Sequence, residues 1–506
     1  MEIASGLLQG FAVALTPMNL MWCFIGCFLG TVVGVLPGLG PAATIAMLLP
    51  LTFQMNPTSG LIMLCGIYYG AKYGGSTTAI LLNVPGESAS VVTCLDGYQM
   101  ARNGRAGAAL GIAAIASFIA GTIGVILLML ISPPLAKFAL SFSSPEYFAL
   151  MSLGLAMVVL LAGESLTKAL LAMLVGLWIA SMGTDLFTAV SRFTFNQSDL
   201  LDGIDFVVVA IGLFAIGEVL ANMEKRDAAQ VLPVPKGLRN LLPTLQELKA
   251  CRFAFVNGAV VGFVVGILPG AGSTIASFLS YGLEKAVSKH PEKFGTGVPE
   301  GVAAPEGANN ADTGGALVPM LTLGIPGSST TAILLAALIL WGLRPGPLLI
   351  QDNPELFWGL VASMYIGNVM LLILNIPLIP LFAQILRLPA ALLFPIIFGI
   401  SIVGVYSVSS SLFDVWMVSA FGLLGYVMRK LDYPAAPLIL GVVLGDSMER
   451  ALRQSLMMSQ GDLAILVSRP ISAVMLVFTA LILLVPLFKS ANAMRVKALK
   501  ESPEQS

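Results

Sequence analysis

Apolar runs of about 20 residues recur from one end of the chain to the other, each long enough to cross a hydrocarbon core of about 30 Å. Residues 3–16 are mildly apolar and predict a short interfacial helix ending at Thr16-Pro17. Residues 18–35 form a strong run, and 42–53 continue it to a polar turn at Gln54–Thr58. Residues 60–71 are apolar again and meet a polar, glycine-rich patch, Lys72–Thr78. Further membrane helices are predicted at 108–132, 146–162, 167–190 and 205–221, punctuated by Pro133-Pro134 and Ser144-Pro145. Residues 222–252 break the pattern with six Lys and Arg residues, and then it restarts. Residues 254–268 are apolar, Lys285, Lys289 and Lys293 mark a loop, and Pro299–Gly315 is a polar, small-residue stretch. Apolar helices follow at 355–386, 390–428 and 434–446, with a final one at 471–488 before a polar tail.

Four interruptions organise this pattern. Gly34-Val35-Leu36-Pro37-Gly38-Leu39-Gly40-Pro41 and Gly266-Ile267-Leu268-Pro269-Gly270-Ala271-Gly272-Ser273 each cut an apolar run short. Each is followed some 50 residues later by a second break, Val84-Pro85-Gly86-Glu87-Ser88 in the first half and Ile325-Pro326-Gly327-Ser328-Ser329 in the second. Gly74-Gly75 pairs with Gly314-Gly315, Ser117/Gly121 with Ser363/Gly367, and Gly217-Glu218 with Gly445-Asp446. Ordered self-similarity of this kind marks an internal duplication. Broken helices at corresponding positions of two halves are the sequence pointer to a secondary transporter's binding site.

Composition narrows the class. Of 506 residues, 57% are hydrophobic and 10% charged, against about 25% charged in an average soluble domain. So few charges cannot cover a soluble surface of this size, and the chain is read as an all-α polytopic integral membrane protein. A net charge of −1 gives nucleic-acid binding no electrostatic support. The five cysteines form no CxxC pair, which argues against a zinc site or disulfide framework. No HExxH, GxSxG or P-loop is present, so neither a metalloprotease nor an ATPase is predicted, and the chain is not expected to be an enzyme. No Lys or Arg precedes Lys72, which argues against a cleaved signal peptide.

Basic residues set the expected orientation. The linker (Lys225, Arg226, Lys236, Arg239, Lys249, Arg252) and the tail (Lys489, Arg495, Lys497, Lys500) are expected in the cytoplasm, and the N-terminus, which has no Lys or Arg, outside, in the periplasm. Each half then crosses an odd number of times, which makes the two repeats inverted in topology. Arg450, Arg453 and Arg469 run against this scheme. The expected organisation is a first membrane repeat at 1–221, a cytoplasmic basic linker at 222–252, a second repeat at 253–465, a final transmembrane helix at 466–490 and a tail at 491–506. About 10–12 membrane segments are expected, re-entrant ones included.

The broken segments suit an anion. A helix that stops within the membrane leaves backbone groups unpaired, at several kcal/mol each unless they line protein or a wet cavity. Its N-terminal amides carry partial positive charge that suits a carboxylate. The expected substrate-binding residues are Pro37, Gly38, Gly40, Thr44, Lys72, Gly74, Gly75, Ser76, Thr77, Asn83, Pro85, Gly86 and Ser88 in the first half. In the second they are Pro269, Gly270, Gly272, Ser273, Thr274, Gly314, Gly315, Pro326, Gly327, Ser328, Ser329 and Thr330. Lys72 either meets a substrate carboxylate or snorkels to an interface. Glu87, Asn309, Asn310 and Asp312 are the candidates for a coupling ion, Na+ or H+. No other cofactor or metal is expected. Glycine and proline also serve ordinary helix packing, so a lone Leu-Pro-Gly would mean little; the duplicated set carries the reading.

Over about residues 5–490 the chain resembles the large membrane subunit of tripartite tricarboxylate transporters, the TctA family. The resemblance rests on Gly30–Pro41, Tyr69–Thr77 and Asn83–Glu87, and on Gly266–Thr274 and Gly324–Ser328 in the second half. It implies a secondary transporter of the bacterial inner membrane, driven by an ion gradient and importing citrate-like tricarboxylates or related organic acids. It also implies a small membrane partner (TctB-like) and a periplasmic solute-binding protein (TctC-like). The rival readings are a stand-alone carboxylate or anion transporter or channel, and an intramembrane enzyme. The latter would need an acid/base or metal cluster that the lone His290 and scattered acids do not supply.

Overall fold

The computed structural model describes residues 2–36, 39–161, 165–185, 187–224, 232, 241–270, 272–385 and 390–484. Pro37, Gly38, most of the basic linker and the tail lie outside them. The described chain is almost wholly α-helical, with one two-stranded ribbon pairing Gly183–Thr184 with Ser191–Arg192. Among the described residues, five helices are long and apolar enough to cross a membrane: Pro17–Gly34, Ala101–Ala139, Phe206–Met223, Pro354–Asn375 and Leu412–Lys430; eight shorter apolar helices accompany them. The protein is an all-α polytopic membrane protein.

The chain folds into two compact units, and each draws on both halves of the sequence. The first comprises residues 1–140 and 205–431 and holds all four breaks. Its helices are α1 (Glu2–Ala14), α2 (Pro17–Gly34), α3 (Pro41–Leu48), α4 (Pro57–Leu82) and α5 (Ala106–Ala139). The second unit, 141–204 with 432–506, contributes α6 (Ser144–Leu161) and α7 (Leu166–Ala180). The first unit resumes with α8 (Phe206–Met223), α9 (Arg252–Ile267), α10 (Gly272–Val287), α11 (Glu300–Leu323), α12 (Ser329–Leu340), α13 (Pro354–Asn375), α14 (Ala390–Ser409) and α15 (Leu412–Lys430). The second closes with α16 (Ala435–Met458) and α17 (Pro470–Leu484).

The core of the first unit is built on glycine spacing. Gly26, Gly30 and Gly34 put one glycine on each successive turn of α2, and a Cβ there would fall 2.3, 2.4 and 2.2 Å from the carbonyl oxygens of Met63, Ile67 and Ala71 on α4. Gly258, Gly262 and Gly266 of α9 do the same against Ala304, Ala308 and Asp312 of α11, at 2.7, 2.3 and 2.6 Å. Small residues four apart let two backbones meet, the usual way membrane helices pack without a hydrophobic drive. The constant offset between the two sets carries the duplication to the level of contacts. It also corrects one pairing by a residue: Gly74, against Thr31 O, matches Gly315, against Phe263 O, rather than Gly314. The third long helix of each half packs on the other half's pair, α5 on α11 and α9, α13 on α4 and α2.

Several expected boundaries move. The helix predicted at 108–132 runs on through Pro133-Pro134 to Ala139. The run 167–190 stops at Ala180 and gives way to the ribbon. The run 390–428 splits at Ser410, which has a φ of 52°. Lys72–Thr78 is no interruption, because α4 is continuous from Pro57 to Leu82. Pro299–Gly315, polar enough to read as a loop, is most of α11, whose residues are buried almost end to end.

In the second unit, α7 meets α16 where a Cβ on Gly176 would sit 2.1 Å from Leu438 O. Arg453 bridges Asp185 and Glu449 at 2.8 and 2.7 Å, and Arg192 binds Glu449 at 2.8 Å. Arg450 pairs with Asp446, and Arg469 with the buried Glu146. The Thr188 amide, with that of Phe187 and the cations Arg453 and Arg192, holds the Asp185 carboxyl down at about 2.

Candidate functional site

The second break of each half repeats one local design. α4 ends at Asn83 and α11 at Gly324, both left-handed, with φ of 57° and 71°. Pro85-Gly86 and Pro326-Gly327 follow, and both glycines are buried against helix backbone: a Cβ on Gly86 would lie 2.5 Å from Gly75 Cα, and one on Gly327 3.0 Å from Gly266 O. Each break then starts a helical turn with a reciprocal cap, Glu87 with Ser90 and Ser328 with Thr331. Such caps satisfy amides that a helix start leaves open. Thr44 Oγ1 donates to Gly40 O at 3.0 Å at the start of α3.

The breaks also join one another. The Gly270 amide donates to Gly327 O at 2.9 Å, linking the two breaks of the second half. Thr274 Oγ1 donates to Ser88 Oγ at 2.9 Å, linking the halves. Gly86 presses on Gly34 O, so a Cβ there would come within 2.7 Å.

Beneath them lies a buried polar cluster between α4 and α11. Lys72, 1% exposed, donates to Asn309 O at 2.8 Å and Asn309 Oδ1 at 3.0 Å, and meets Asp312 Oδ2 at 3.4 Å. Its ammonium also stands 5.2 Å from the centre of the Tyr68 ring. Asn309 Nδ2 donates to Glu87 Oε1 at 2.7 Å, which ties the second break to the cluster. Asp312 Oδ1 is buried and finds no partner among the described residues. One turn away, Glu306 accepts from Thr93 Oγ1 at 2.5 Å and from Ser76 Oγ.

Most of the predicted residues fall into three groups. Lys72, Ser76, Glu87, Asn309 and Asp312 meet in the cluster. Gly40, Ser88, Pro269, Gly270, Gly272, Ser273, Thr274, Ser328 and Ser329 remain accessible or partly so. A Cβ on Gly40 or on Gly272 would meet nothing within 4 Å, and Gly272 has a φ of 63°. Gly74, Gly75, Gly86, Gly314, Gly315 and Gly327 are used in close packing; Gly314 lies against Gly124. Thr77, Thr330 and Pro326 are buried, and Pro85 is partly so. Asn83 is an exposed helix cap. Asn310 turns from Asn309 towards α5, donating to Ser117 Oγ at 2.7 Å.

Two carboxylates escaped the sequence reading. Glu306 was visible only as part of a polar stretch, although Glu306, Asn309 and Asp312 have the three-residue spacing of one helix face. Asp96, fully buried, accepts from the amides of Gly295, Gly297 and Val298 at 2.8–2.9 Å and from Tyr281 Oη at 2.9 Å. It pins the segment after the second break to the entrance of α11; no local sequence signal predicts that pairing.

Helices interrupted inside a polytopic bundle, with polar groups gathered at the interruptions, are an arrangement in which membrane transporters build their sites. The chain belongs to the tripartite tricarboxylate transporter TctA family, whose pattern matches residues 20–440. It is 48% identical over 501 residues, 99% of each chain, to an uncharacterized 52.8 kDa protein in the TAR-I ttuC' 3'region of Agrobacterium vitis. It is 43% identical over 240 residues, 47% of this chain and 99% of the relative, to an uncharacterized protein in the TAR-II ttuC' 3'region of the same organism. No solved structure matches it.

Proposed function

We propose that this chain is the large permease subunit of a binding-protein-dependent secondary transporter of the bacterial inner membrane. It imports citrate-like tricarboxylates or related organic acids, coupled to a gradient of Na+ or H+. A periplasmic solute-binding protein delivers the substrate, and a small membrane subunit accompanies the permease. Two inverted repeats frame the substrate, with the N-terminus in the periplasm and the C-terminus in the cytoplasm.

The observation that carries the reading is the pair of open glycines, Gly40 and Gly272, at the starts of α3 and α10. A helix start offers amides with partial positive charge, and a missing side chain lets an anion reach them. Ser273 and Thr274 lie in the first turn of α10, Thr274 donates to Ser88 Oγ, and Ser328 follows Gly327, whose carbonyl accepts from the Gly270 amide. Lys72 is already matched by Asp312 and Asn309. The substrate's carboxylates are accordingly held by backbone amides and hydroxyls, and Lys72 supports the site from beneath.

The test is uptake of radiolabelled citrate into vesicles holding this chain and its small membrane partner, with and without the cognate binding protein, under an imposed Na+ or H+ gradient. Uptake that needs both the binding protein and one gradient is the expected result. Uptake without the binding protein would replace this reading with a stand-alone transporter, and uptake indifferent to both gradients would remove secondary coupling.

A further inference from the structure

Glu306 is a buried carboxylate without a cation. It is 0% exposed, and among the described residues it forms no ion pair. Its two oxygens accept from hydroxyls, Oε1 from Thr93 and Oε2 from Ser76. A lone carboxylate removed from water is tolerated only if a cation matches it or a proton neutralises it. The titratable groups facing it are Lys72 and Tyr73 on α4, Glu87 at the second break and Cys94 just beyond. Lys72 is the only base among them and is committed to Asn309 and Asp312. Along α11 itself, Asp312 is Lys72's partner. On the other elements packed against α11, Glu284 of α10 is bound by Asn257, and Asp96 by Tyr281 and three amides.

Two small cavities run along the same seam, each just large enough for one water molecule. The first touches Tyr73, Ser76 and Ser117. The second touches Tyr69, Asn310 and Thr313. The hydrogen bond from Asn310 Nδ2 to Ser117 Oγ joins them. Tyr73 Oη, on the first cavity, and Thr313 Oγ1, on the second, are buried and have no protein partner among the described residues. An unpaired hydroxyl on each of two water-sized cavities is suited to water, because buried polar groups otherwise forfeit their hydrogen bonds.

We propose that Glu306 is the proton-carrying group of this transporter, and that the two cavities along α4, α5 and α13, the second also bounded by α11, are the water path to Ser76, which hands the proton on to it. The hydrogen bonding accommodates both charge states. With Glu306 ionised, Ser76 and Thr93 donate to it. When a hydronium in the first cavity gives a proton to Ser76 Oγ and is left as water, the proton that Ser76 held passes to Oε2, and the new O–H of Glu306 donates to Ser76 Oγ. The Ser76 proton turns to Lys72 O, 3.3 Å away. Every donor keeps an acceptor. Because the hydroxyls touch the carboxylate oxygens directly, a metal cation has no space between them. The proposal deepens the import reading and rests on it for the transport step only.

Two measurements on the full chain with its membrane partner test it. The first is infrared difference spectroscopy across a pH titration, with no substrate present. The wild type should show the carbonyl stretch of a buried protonated carboxyl, absent from Glu306→Gln and moved in Ser76→Ala, which keeps the acid but removes a hydrogen bond. The second is the ratio of citrate uptake with and without an inward gradient of one pH unit. One unit is worth about tenfold in accumulation per proton, so the ratio should be about ten in the wild type, about one in Glu306→Gln, and restored by Glu306→Asp. A wild type without a band assignable to Glu306, a band unmoved in Ser76→Ala, or a Glu306→Gln protein that still responds to pH would overturn the proposal. If the wild type takes up no citrate under any gradient, the import reading falls, and the infrared band still decides Glu306.

Discussion

Replacing Lys72 by Met should destabilise α11 far more than replacing Asp312 by Asn, and the double replacement should recover most of the loss. Lys72 and Asp312 are each 1% exposed, so solvent screening does not discount their interaction. Removing one partner of a buried pair costs about 3–5 kcal/mol, because the other charge is left uncompensated. Lys72→Met produces that state in full: Asp312 Oδ1 already lacks a partner, and Oδ2 loses its only cation. Asp312→Asn is milder, because the ammonium keeps Asn309 O, Asn309 Oδ1 and the Tyr68 face. The assay is amide hydrogen exchange of α11 peptides in detergent-solubilised protein, with peptides from α15 as the internal reference. At about 1.4 kcal/mol per tenfold, Lys72→Met should speed exchange of α11 roughly a hundred- to several-thousand-fold. Asp312→Asn should act more weakly, and the double variant should fall between wild type and Lys72→Met. Wild-type exchange in Lys72→Met, or a double variant no better than that single one, would refute the argument.

Gly40→Ala and Gly272→Ala should cut citrate uptake by about tenfold or more, the loss of one hydrogen bond to a charged group; Gly282→Ala, equally open on α10, is the control and should leave uptake unchanged. Gly34→Ala and Gly266→Ala should destabilise by about 1–3 kcal/mol through overpacking, read as earlier thermal unfolding in detergent. Asp96→Asn should weaken acceptor bonds worth about 1.5–3 kcal/mol to a charged group, read as faster tryptic cleavage at Lys293; unchanged cleavage would contradict the pinning role. Because the Asp185 carboxyl is held at about 2, below its ordinary value of about 3.9, its contribution to the ribbon is complete above pH about 4. It is lost as pH falls towards 2, which fluorescence of Trp178, packed edge-on to Phe193 at 6.0 Å, should follow.

What the sequence made legible was what periodicity and punctuation encode. Helical class, membrane embedding and the positions of all four breaks follow from apolar runs cut by Gly and Pro. The duplication followed too, and its glycine register was present in Gly26-Gly30-Gly34 and Gly258-Gly262-Gly266, a small-residue spacing with a known packing meaning. Helix α11 did not follow. Its Gly, Asn, Asp and Glu content is that of a loop, and only burial against α5, α9 and α10 makes it a helix; tertiary contact overrides local propensity here. Ser277 and Ser280 of α10 supply part of that contact, donating to Pro305 O and Ala304 O. The Lys72–Asp312 pair was out of reach for another reason: its partners are far apart in sequence and sit at non-equivalent positions of the two repeats.

That non-equivalence bears on how the site works. The backbone of the second breaks is duplicated down to the left-handed cap, the Pro-Gly step and the reciprocal turn that follows. The charges are not. Counting from the matched glycines, Ala71 stands where the second half has Asp312, and Cys65 where it has Glu306, while Lys72 corresponds to Thr313. A duplicated chain needs two copies of a structural opening if substrate enters by one half and leaves by the other. A coupling group needs only one copy, because a second buried carboxylate would cost several kcal/mol and change the number of ions moved per substrate. Under the proposed import function, two equivalent openings around one set of ionisable side chains would let access alternate while the coupling chemistry stays in one place.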